Sequence, residues 1–333
     1  MPDQGTFDMA YVSRCYTIGE ISTWERIGGF SSRNYHLTSV NGQYVLKVYP
    51  TATARQAERV AQLGSWLACS GLPCPKPIQS CSGAFVIESL YGSCCAVLSE
   101  FVDGTVLHHK ELGKTEILSV AEIAYTMQKV MKKLPFEHTN RRVELDDLAK
   151  SFNGRRHAVL DNVASSRLSI NDATTLSMVF DAKEKVLDLV YDILLKSNSS
   201  PSAVVHGDFH NENVLFKLGT AQWIIDFEEV RSGWIGEDII TFAIFASSQA
   251  NVAADTIDKM RPMIQRFKDL TSASAEQMST SIDATLVRLA LSTRIEEWSL
   301  LDDTGISVRL LHRDAARFAS FLIHREALHE AWS

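Results

Sequence analysis

The stretch Val204-Val-His-Gly-Asp-Phe-His-Asn-Glu-Asn-Val-Leu-Phe216 sets one aspartate, Asp208, between His206 and His210, with Asn211 and Asn213 close behind. Three chemistries compete for such a pattern: a metal centre, a hydrolytic site, and the catalytic loop of a phosphotransferase. A His-Glu-x-x-His zinc site needs glutamate directly after its first histidine, on a continuous helix, and Gly207 stands there instead. A hydrolytic triad needs a nucleophile on a sharp elbow, and no Gly-x-Ser-x-Gly is present. Phosphoryl transfer finds its parts. Asp208 is placed to orient a hydroxyl and accept its proton, Asn213 follows five residues on, and Asp226 lies after an apolar strand in Ile224-Ile-Asp-Phe-Glu228. An amide oxygen and a second carboxylate suit magnesium, a hard cation that prefers oxygen ligands. The two histidines are then read as hydrogen-bonded scaffold.

Working outward, the early part of the chain reads as strands. Asn34–Val40 and Gln43–Tyr49 are β-rich runs joined by Asn41-Gly42, a pair that favours a tight hairpin with positive φ at both residues. A small-residue loop, Ile27–Arg33, feeds this hairpin. Helical spacing over Ala54–Ser70 ends at Gly71, with Pro73, Pro75 and Pro77 beyond it. Strand-like runs follow at Ala84–Glu88 and Cys95–Val102. After Asp103-Gly104 the texture turns helical, with helices expected over Thr115–Leu134 and Thr175–Lys196. A second hairpin is expected from Val214–Lys217 and Gln222–Phe227, closed around Leu218–Ala221, and the remainder from Glu237 to Trp332 reads as mostly helical.

Strand alternation carries the next constraint. Gln43, Val45, Lys47 and Tyr49 point to one face, and Tyr44, Leu46 and Val48 to the other. Lys47 beside Val45 is either an exposed charge at a sheet edge or part of a nucleotide site, with Val45 roofing a flat ring and Lys47 reaching its anionic tail. The second reading needs a carboxylate to fix the lysine. Glu58 on the following helix is placed for that, and is otherwise a solvated helix charge.

The arrangement resembles the protein-kinase-like fold, specifically the aminoglycoside phosphotransferase and choline kinase group, whose catalytic loop reads H-G-D-x-H-x-x-N. Here it stands as His206-Gly-Asp-Phe-His210-Asn-Glu-Asn213 without a gap. The resemblance runs from about Trp24 to Ala246. It implies an α+β protein of two lobes: a small β-rich nucleotide-binding lobe through the hinge, 1–102, and a larger, mostly helical catalytic and substrate-binding lobe, 103–333. It makes Asp208 the catalytic residue, Asn213 and Asp226 the magnesium ligands, and Lys47 the phosphate-positioning lysine held by Glu58. The loop Gly28–Asn34, with Ser31 and Asn34, resembles the cover over the phosphates. Leu98–Gly104 resembles the hinge, where the backbone near Ser99 and Phe101 reads the adenine edge. Gly236-Glu237-Asp238 resembles the segment from which an acidic residue braces the catalytic loop. The implied activity is ATP- and magnesium-dependent phosphorylation of a small-molecule hydroxyl: an aminoglycoside, an amino alcohol, homoserine or a sugar. Departures matter as well. Gly207 replaces the arginine of many regulated kinases, Glu228 follows Asp226-Phe227 where glycine is usual, and no Ala-Pro-Glu segment follows, so phosphorylation-gated activation is not expected. A protein Ser/Thr kinase on the same scaffold and a nucleotide-binding regulatory module without turnover are the alternatives.

Composition narrows the field. The chain has 333 residues, 45% of them apolar and 22% charged, with a formal net charge of −7. That balance offers no basic face to nucleic acid. No basic-flanked apolar run or cleavage site marks the start, and Ile239–Ala246 is too short to span a bilayer, so a cytoplasmic protein without membrane partners is expected. The six cysteines are irregularly spaced and read as buried reduced thiols rather than disulfides or zinc ligands. Acidic residues in the second lobe, Glu228, Glu229, Glu296, Glu297, Asp302 and Asp303, are either solvated helix charges or the receptor of a cationic acceptor.

Overall fold

Strand β3 (Gly42–Tyr49) is central to an antiparallel sheet ordered β1-β2-β3-β5-β4, with β1 at Ile21–Gly28, β2 at Arg33–Ser39, β4 at Val86–Glu88 and β5 at Cys95–Glu100. The computed structural model describes residues 8–28, 32–49, 54–88, 94–135, 141–166, 168–196, 202–247, 254–301 and 305–333. The chain divides into two compact units. The first holds Met1–Thr105 with Leu215–Lys217 and Gln222–Glu228, and the second holds Val106–Val214, Leu218–Ala221 and Glu229–Ser333.

In the first unit the period-two pattern of β3 is realised. Leu46 and Val48 pack with Val12 and Tyr16 of α1 (Met9–Tyr16), and with Leu37, Ala96 and Leu98 of the neighbouring strands. Tyr49 and Val97 pack on the other side with Ala57 and Ala61 of α2 (Ala54–Cys69). Lys47 therefore shares the α2 side of the sheet with Tyr49. Its register partners are Asn34 and Val97, and those of Val45 are His36 and Ser99. Tyr16 ties α1 to this sheet, its hydroxyl donating to the Phe85 and Ala96 carbonyls at 2.6 and 3.2 Å.

The first hairpin turns one residue earlier than the Asn-Gly pair suggests. Ser39 pairs with Gly42, so Val40 and Asn41 make the turn, and Ser39 Oγ accepts the Asn41 N–H at 3.2 Å. Of the two residues expected at positive φ, only Gly42 has it. Neither α1 nor β1 is anticipated from sequence. All of β1 after Ile21 is exposed, so no buried face imposes alternation on it. None of the six cysteines forms a disulfide, but Cys69 and Cys81 are exposed rather than buried.

The second unit is built on helices. Besides α3 (Lys114–Met131) these are α4 (Arg141–Asp161), α5 (Ile170–Lys196), α6 (Glu237–Ser247), α7 (Ala254–Thr271), α8 (Ala275–Leu291), α9 (Arg294–Ser299) and α10 (Ile306–Trp332). Helix α3 packs on α7, and α5 on α8 and α10. Helix α5 starts five residues before the expected point, where Ser169 Oγ accepts the Asp172 N–H at 3.2 Å and caps the first turn. The unexpected α4 is strongly polar and has almost no amphipathic pattern to read. A short strand β6 (Ala203–Val205) pairs antiparallel with β9 (Arg231–Gly233), Val205 opposite Arg231. Among the described residues, no helix is long and apolar enough to cross a membrane.

Strands β7 (Val214–Lys217) and β8 (Thr220–Ile224) form the second hairpin, closed by two residues rather than four. Leu218 and Gly219 have φ of 51° and 75°, the left-handed pair that a two-residue turn uses. Leucine is poorly suited to this conformation, and its side chain is 97% exposed. Leu218→Asn is expected to stabilise the protein by about 0.5–1 kcal/mol, read as a rise in Tm of about 1–3 °C by calorimetry.

Candidate active site

The catalytic-loop pattern begins in the second unit, directly after β6. Its anchor is Asp238 in the first turn of α6, whose two carboxylate oxygens accept the His206 and Gly207 amides at 2.8 and 3.0 Å. Burial pushes the Asp238 carboxyl up from its ordinary pKa, against the pull of the His206 charge and these two amides. Gly207 holds φ of +84°, and a Cβ there would meet Arg231 Nη1 at 1.8 Å and the Glu229 carbonyl at 2.2 Å. The glycine is thus a packing requirement. Arg231 occupies the space above it and forms a buried ion pair with Glu237 at 2.5 Å.

Beyond this anchor the loop hydrogen-bonds to itself. His206 is fully buried, and its Nδ1 accepts the Asp208 N–H at 3.3 Å. Asn213 Nδ2 donates to the Asp208 carbonyl at 2.8 Å and reaches Asp208 Oδ2 at 3.4 Å and His210 Nε2 at 3.3 Å. The Asn213 nitrogen is thereby committed inside the loop, which leaves its oxygen as the atom to offer a hard cation. His210 stacks on Phe245 of α6 at 5.3 Å and lies 3.5 Å from Asp208 Oδ2. The Asp208 side chain remains 39% exposed. Burial alone would raise its pKa, but the His210 hydrogen bond and the charges of His210, Arg288 and His206 outweigh that and hold it well below the usual carboxylate range. Both histidines thus serve as scaffold, and His210 also acts on Asp208 electrostatically.

The first unit carries the other candidates. Lys47 Nζ lies 3.0 Å from Asp226 Oδ1 and 2.5 Å from Glu228 Oε1, and 5.5 Å from the Tyr49 ring centre. Burial would lower the lysine pKa, but the two carboxylates more than offset it and the net shift is upward. Asp226 holds φ of +67°, a conformation that a non-glycine residue keeps only where its surroundings impose it.

Two expectations need amendment. Glu58 does not pair with Lys47. Its Oε2 accepts the Phe85 and Val86 amides, both at 2.9 Å, and its Oε1 accepts from Gln62 at 3.2 Å. The N–H groups entering β4 claim this carboxylate, while Asp226 and Glu228 claim the lysine. At the expected hinge, the Phe101 amide donates to the Gln43 carbonyl at 3.1 Å, so the β3–β5 ladder continues past Glu100 and takes the donor meant for adenine. The Phe101 ring instead packs on His36, centroids 4.4 Å apart. Ser99 stays on the ladder opposite Val45, the face that also carries Lys47. Asn34, expected in the cover over the phosphates, lies on β2 opposite Lys47, its Oδ1 buried without a hydrogen-bond partner. Ser31, with Gly29 and Phe30, lies outside the described residues, as do Asp302 and Asp303.

Comparison with known proteins follows the same lines. The model of the family described as "Phosphotransferase enzyme family" matches residues 23–268. The chain belongs to this family. Among curated phosphotransferases, a homoserine kinase of Burkholderia mallei (strain SAVP1) is 32% identical over 282 residues, covering 80% of this chain and 82% of that one. A homoserine kinase of Burkholderia cenocepacia (strain HI2424) is 34% identical, but over 98 residues, 29% of either chain. Among solved structures, the amicoumacin kinase hAmiN, in complex with AMP-PNP, Ca2+ and Ami, aligns over 93% of this chain and 91% of its own, with a TM-score of 0.64 and 14% identity. A thermostable mutant of the aminoglycoside phosphotransferase APH(4)-Ia, in ternary complex with ADP and hygromycin B, aligns over 94% and 98%, with a TM-score of 0.59 and 16% identity. The fold is accordingly the protein-kinase-like fold of these phosphotransferases.

Sequence reading missed Glu228 as a partner of Lys47, and the Arg231–Glu237 pair behind the loop. The only available signal was Glu228 standing where glycine is usual. Gly207→Ala is expected to cost about 2–4 kcal/mol through left-handed strain and overlap, measured by denaturant unfolding. Adding Arg231→Ala should recover only part of this, because the Glu229 carbonyl still blocks the methyl group.

Proposed function

We propose that this chain transfers the γ-phosphoryl group of ATP to a hydroxyl of a small molecule. The observation that carries the proposal is the loop geometry around Asp208: an ionised, half-exposed carboxylate fixed by Asn213 and His210 on a backbone pinned by Asp238. Asp208 orients the acceptor hydroxyl and takes its proton as the oxygen bonds to the γ-phosphorus. The bond from that phosphorus to the β-phosphate oxygen breaks, and ADP leaves with the electron pair. Because the transition state is loose, positioning and charge neutralisation supply most of the acceleration, so a carboxylate of low basicity suffices.

The family implies a divalent cation, and the donor set fits a hard one. Asp226 offers a carboxylate on a strained backbone, and Asn213 offers its amide oxygen. These two residues would hold magnesium, which when bound neutralises phosphate charge. Lys47 positions the phosphates, with Glu228 and Tyr49 setting its place. Names of relatives support a small acceptor: homoserine, hygromycin B and amicoumacin are molecules of that size rather than proteins.

Three measurements test the reading. Asp208→Asn should lower kcat by about two to four orders of magnitude with KM for ATP nearly unchanged, since the charge acts on the acceptor. Wild-type turnover in that variant would remove Asp208 from its role. Asp226→Ala should abolish magnesium-dependent ATP binding in a calorimetric titration. Glu58→Ala should lower unfolding free energy by about 1–2 kcal/mol through the lost amide acceptor and leave KM for ATP unaltered, whereas Glu228→Gln should raise that KM by about tenfold.

A further inference from the structure

Helix α6 meets the catalytic loop along one face. Asp238, Phe242 and Phe245 stand at i, i+4 and i+7, a spacing that lines side chains up on one side of a helix. They engage the loop in order. Asp238 takes the His206 and Gly207 amides, Phe242 packs on Phe209 with ring centres 5.7 Å apart, and Phe245 stacks on His210. The first contact fixes backbone and the second fills the core. The third acts on a side chain that itself reaches Asp208.

Polar contacts hold the His210 ring at its two nitrogens. Nδ1 accepts the Glu212 N–H at 3.2 Å, and Nε2 faces Asp208 Oδ2 at 3.5 Å and Asn213 Nδ2 at 3.3 Å. Contacts at the edge of a ring give little resistance to its swinging out of its own plane. A second ring laid against its face does resist. Phe245 is that ring, with 5.3 Å between centres and 18° between planes.

Phe245 in its turn needs support, because it stands in the last turn of α6, where helices fray. The support comes from α10. The Arg317 guanidinium carbon lies 4.2 Å from the Phe245 ring centre, within cation–π range. Arg317 is buried, and its Nη1 donates to Asp314 Oδ1 at 2.6 Å, while Nε and Nη2 find no hydrogen-bond partner among the described residues. A cation buried with so few hydrogen bonds depends on the Asp314 carboxylate and on the face of the Phe245 ring. The Asp314 charge also acts on buried Glu296 of α9, which pairs with Lys183 of α5. Three helices therefore fix where the guanidinium stands.

We propose that Phe245 and Arg317 are positioning residues for the phosphoryl transfer. Arg317 holds the Phe245 ring against His210, and His210 held in this way aims the Asp208 carboxylate at the acceptor hydroxyl. The assignment rests on the phosphotransferase reading above and extends its machinery to α10. Neither residue acts on the reacting atoms directly: each works through His210. A carboxylate that must meet one hydroxyl in one direction loses rate steeply when it is displaced, so a change on α10 reaches the chemistry without touching it.

The test follows ATP consumption by the full chain with MgATP and whichever of L-homoserine, choline and hygromycin B the wild type uses fastest. Phe245→Leu removes the flat ring, and Arg317→Lys keeps a charge for Asp314 but loses the planar guanidinium. Each should lower kcat by about tenfold or more with KM for ATP unchanged, and Phe245→Tyr, which keeps the ring, should restore most of the rate. Because both residues act through His210, adding either change to His210→Ala should lower kcat no further. Unchanged kcat in either single variant, or losses that multiply in the His210→Ala background, overturn the proposal. A second readout needs no turnover. The ring current of Phe245 displaces the NMR signals of the His210 ring protons, observed with labelled histidine and assigned through His210→Ala. In Arg317→Lys that displacement should collapse towards its value in Phe245→Leu. If none of the three alcohols supports ATP consumption, the phosphotransferase reading itself fails, and the NMR readout judges the link from Arg317 to His210 alone: collapse upholds it, and an unmoved signal overturns it.

Discussion

Two hydrogen bonds from consecutive backbone amides to one buried carboxylate hold the catalytic loop in shape. Asp238 accepts from His206 and from Gly207, and a carboxylate can take two adjacent N–H groups with a single planar group. That arrangement needs Gly207 in the left-handed region, and Arg231 and the Glu229 carbonyl fill the space where any side chain would begin. With the backbone fixed there, His206 Nδ1 meets the Asp208 amide and Asn213 closes on the Asp208 carbonyl. The position of the Asp208 carboxylate is therefore a consequence of burial some residues away.

In the first unit the organising force is electrostatic. Lys47 is carried on a central strand, and register fixes which neighbours it has. Its charge survives burial because Asp226 and Glu228 lie within contact distance. Asp226 meets the lysine from a left-handed backbone conformation, with the carboxylate and the ammonium side by side. Glu58, one helix away, is already claimed by the amides entering β4.

What the sequence disclosed and what it concealed follow the range of each interaction. The face of Lys47 was legible because strand alternation depends only on the residue's place in its own strand. The contact of Asn213 with Asp208 was legible because their spacing is local and their loop lies between apolar strands. The partner of Lys47 was not, because choosing between Glu58 and Glu228 requires knowing where the β4 amides lie. Turn positions slipped for a similar reason: Ser39 Oγ, held by the Ile18 carbonyl at 2.8 Å, moves the first turn onto Val40 and Asn41. Helix α1 was missed because its apolar face is short and is completed only by the sheet it covers.

Three carboxylates of the second unit, Asp238, Glu296 and Asp208, differ by environment, and the difference bears on mechanism. Asp238 and Glu296 are desolvated, and burial raises the pKa of each against the groups that pair with it. Asp208 is shifted the opposite way by His210, Arg288 and His206. A depressed pKa means that the ionised form is stabilised in the folded state. That contribution is complete above the ordinary aspartate value of about 3.9 and is lost as pH falls through the lower folded value. At neutral pH Asp208 is then always ready to accept a hydrogen bond from a hydroxyl, and is a weak base while it does so. Such a group cannot draw the proton away early. In the proposed transfer it would fix the direction of the oxygen lone pair and receive the proton only once bonding to phosphorus has made the hydroxyl strongly acidic, which is the order of events a loose transition state requires.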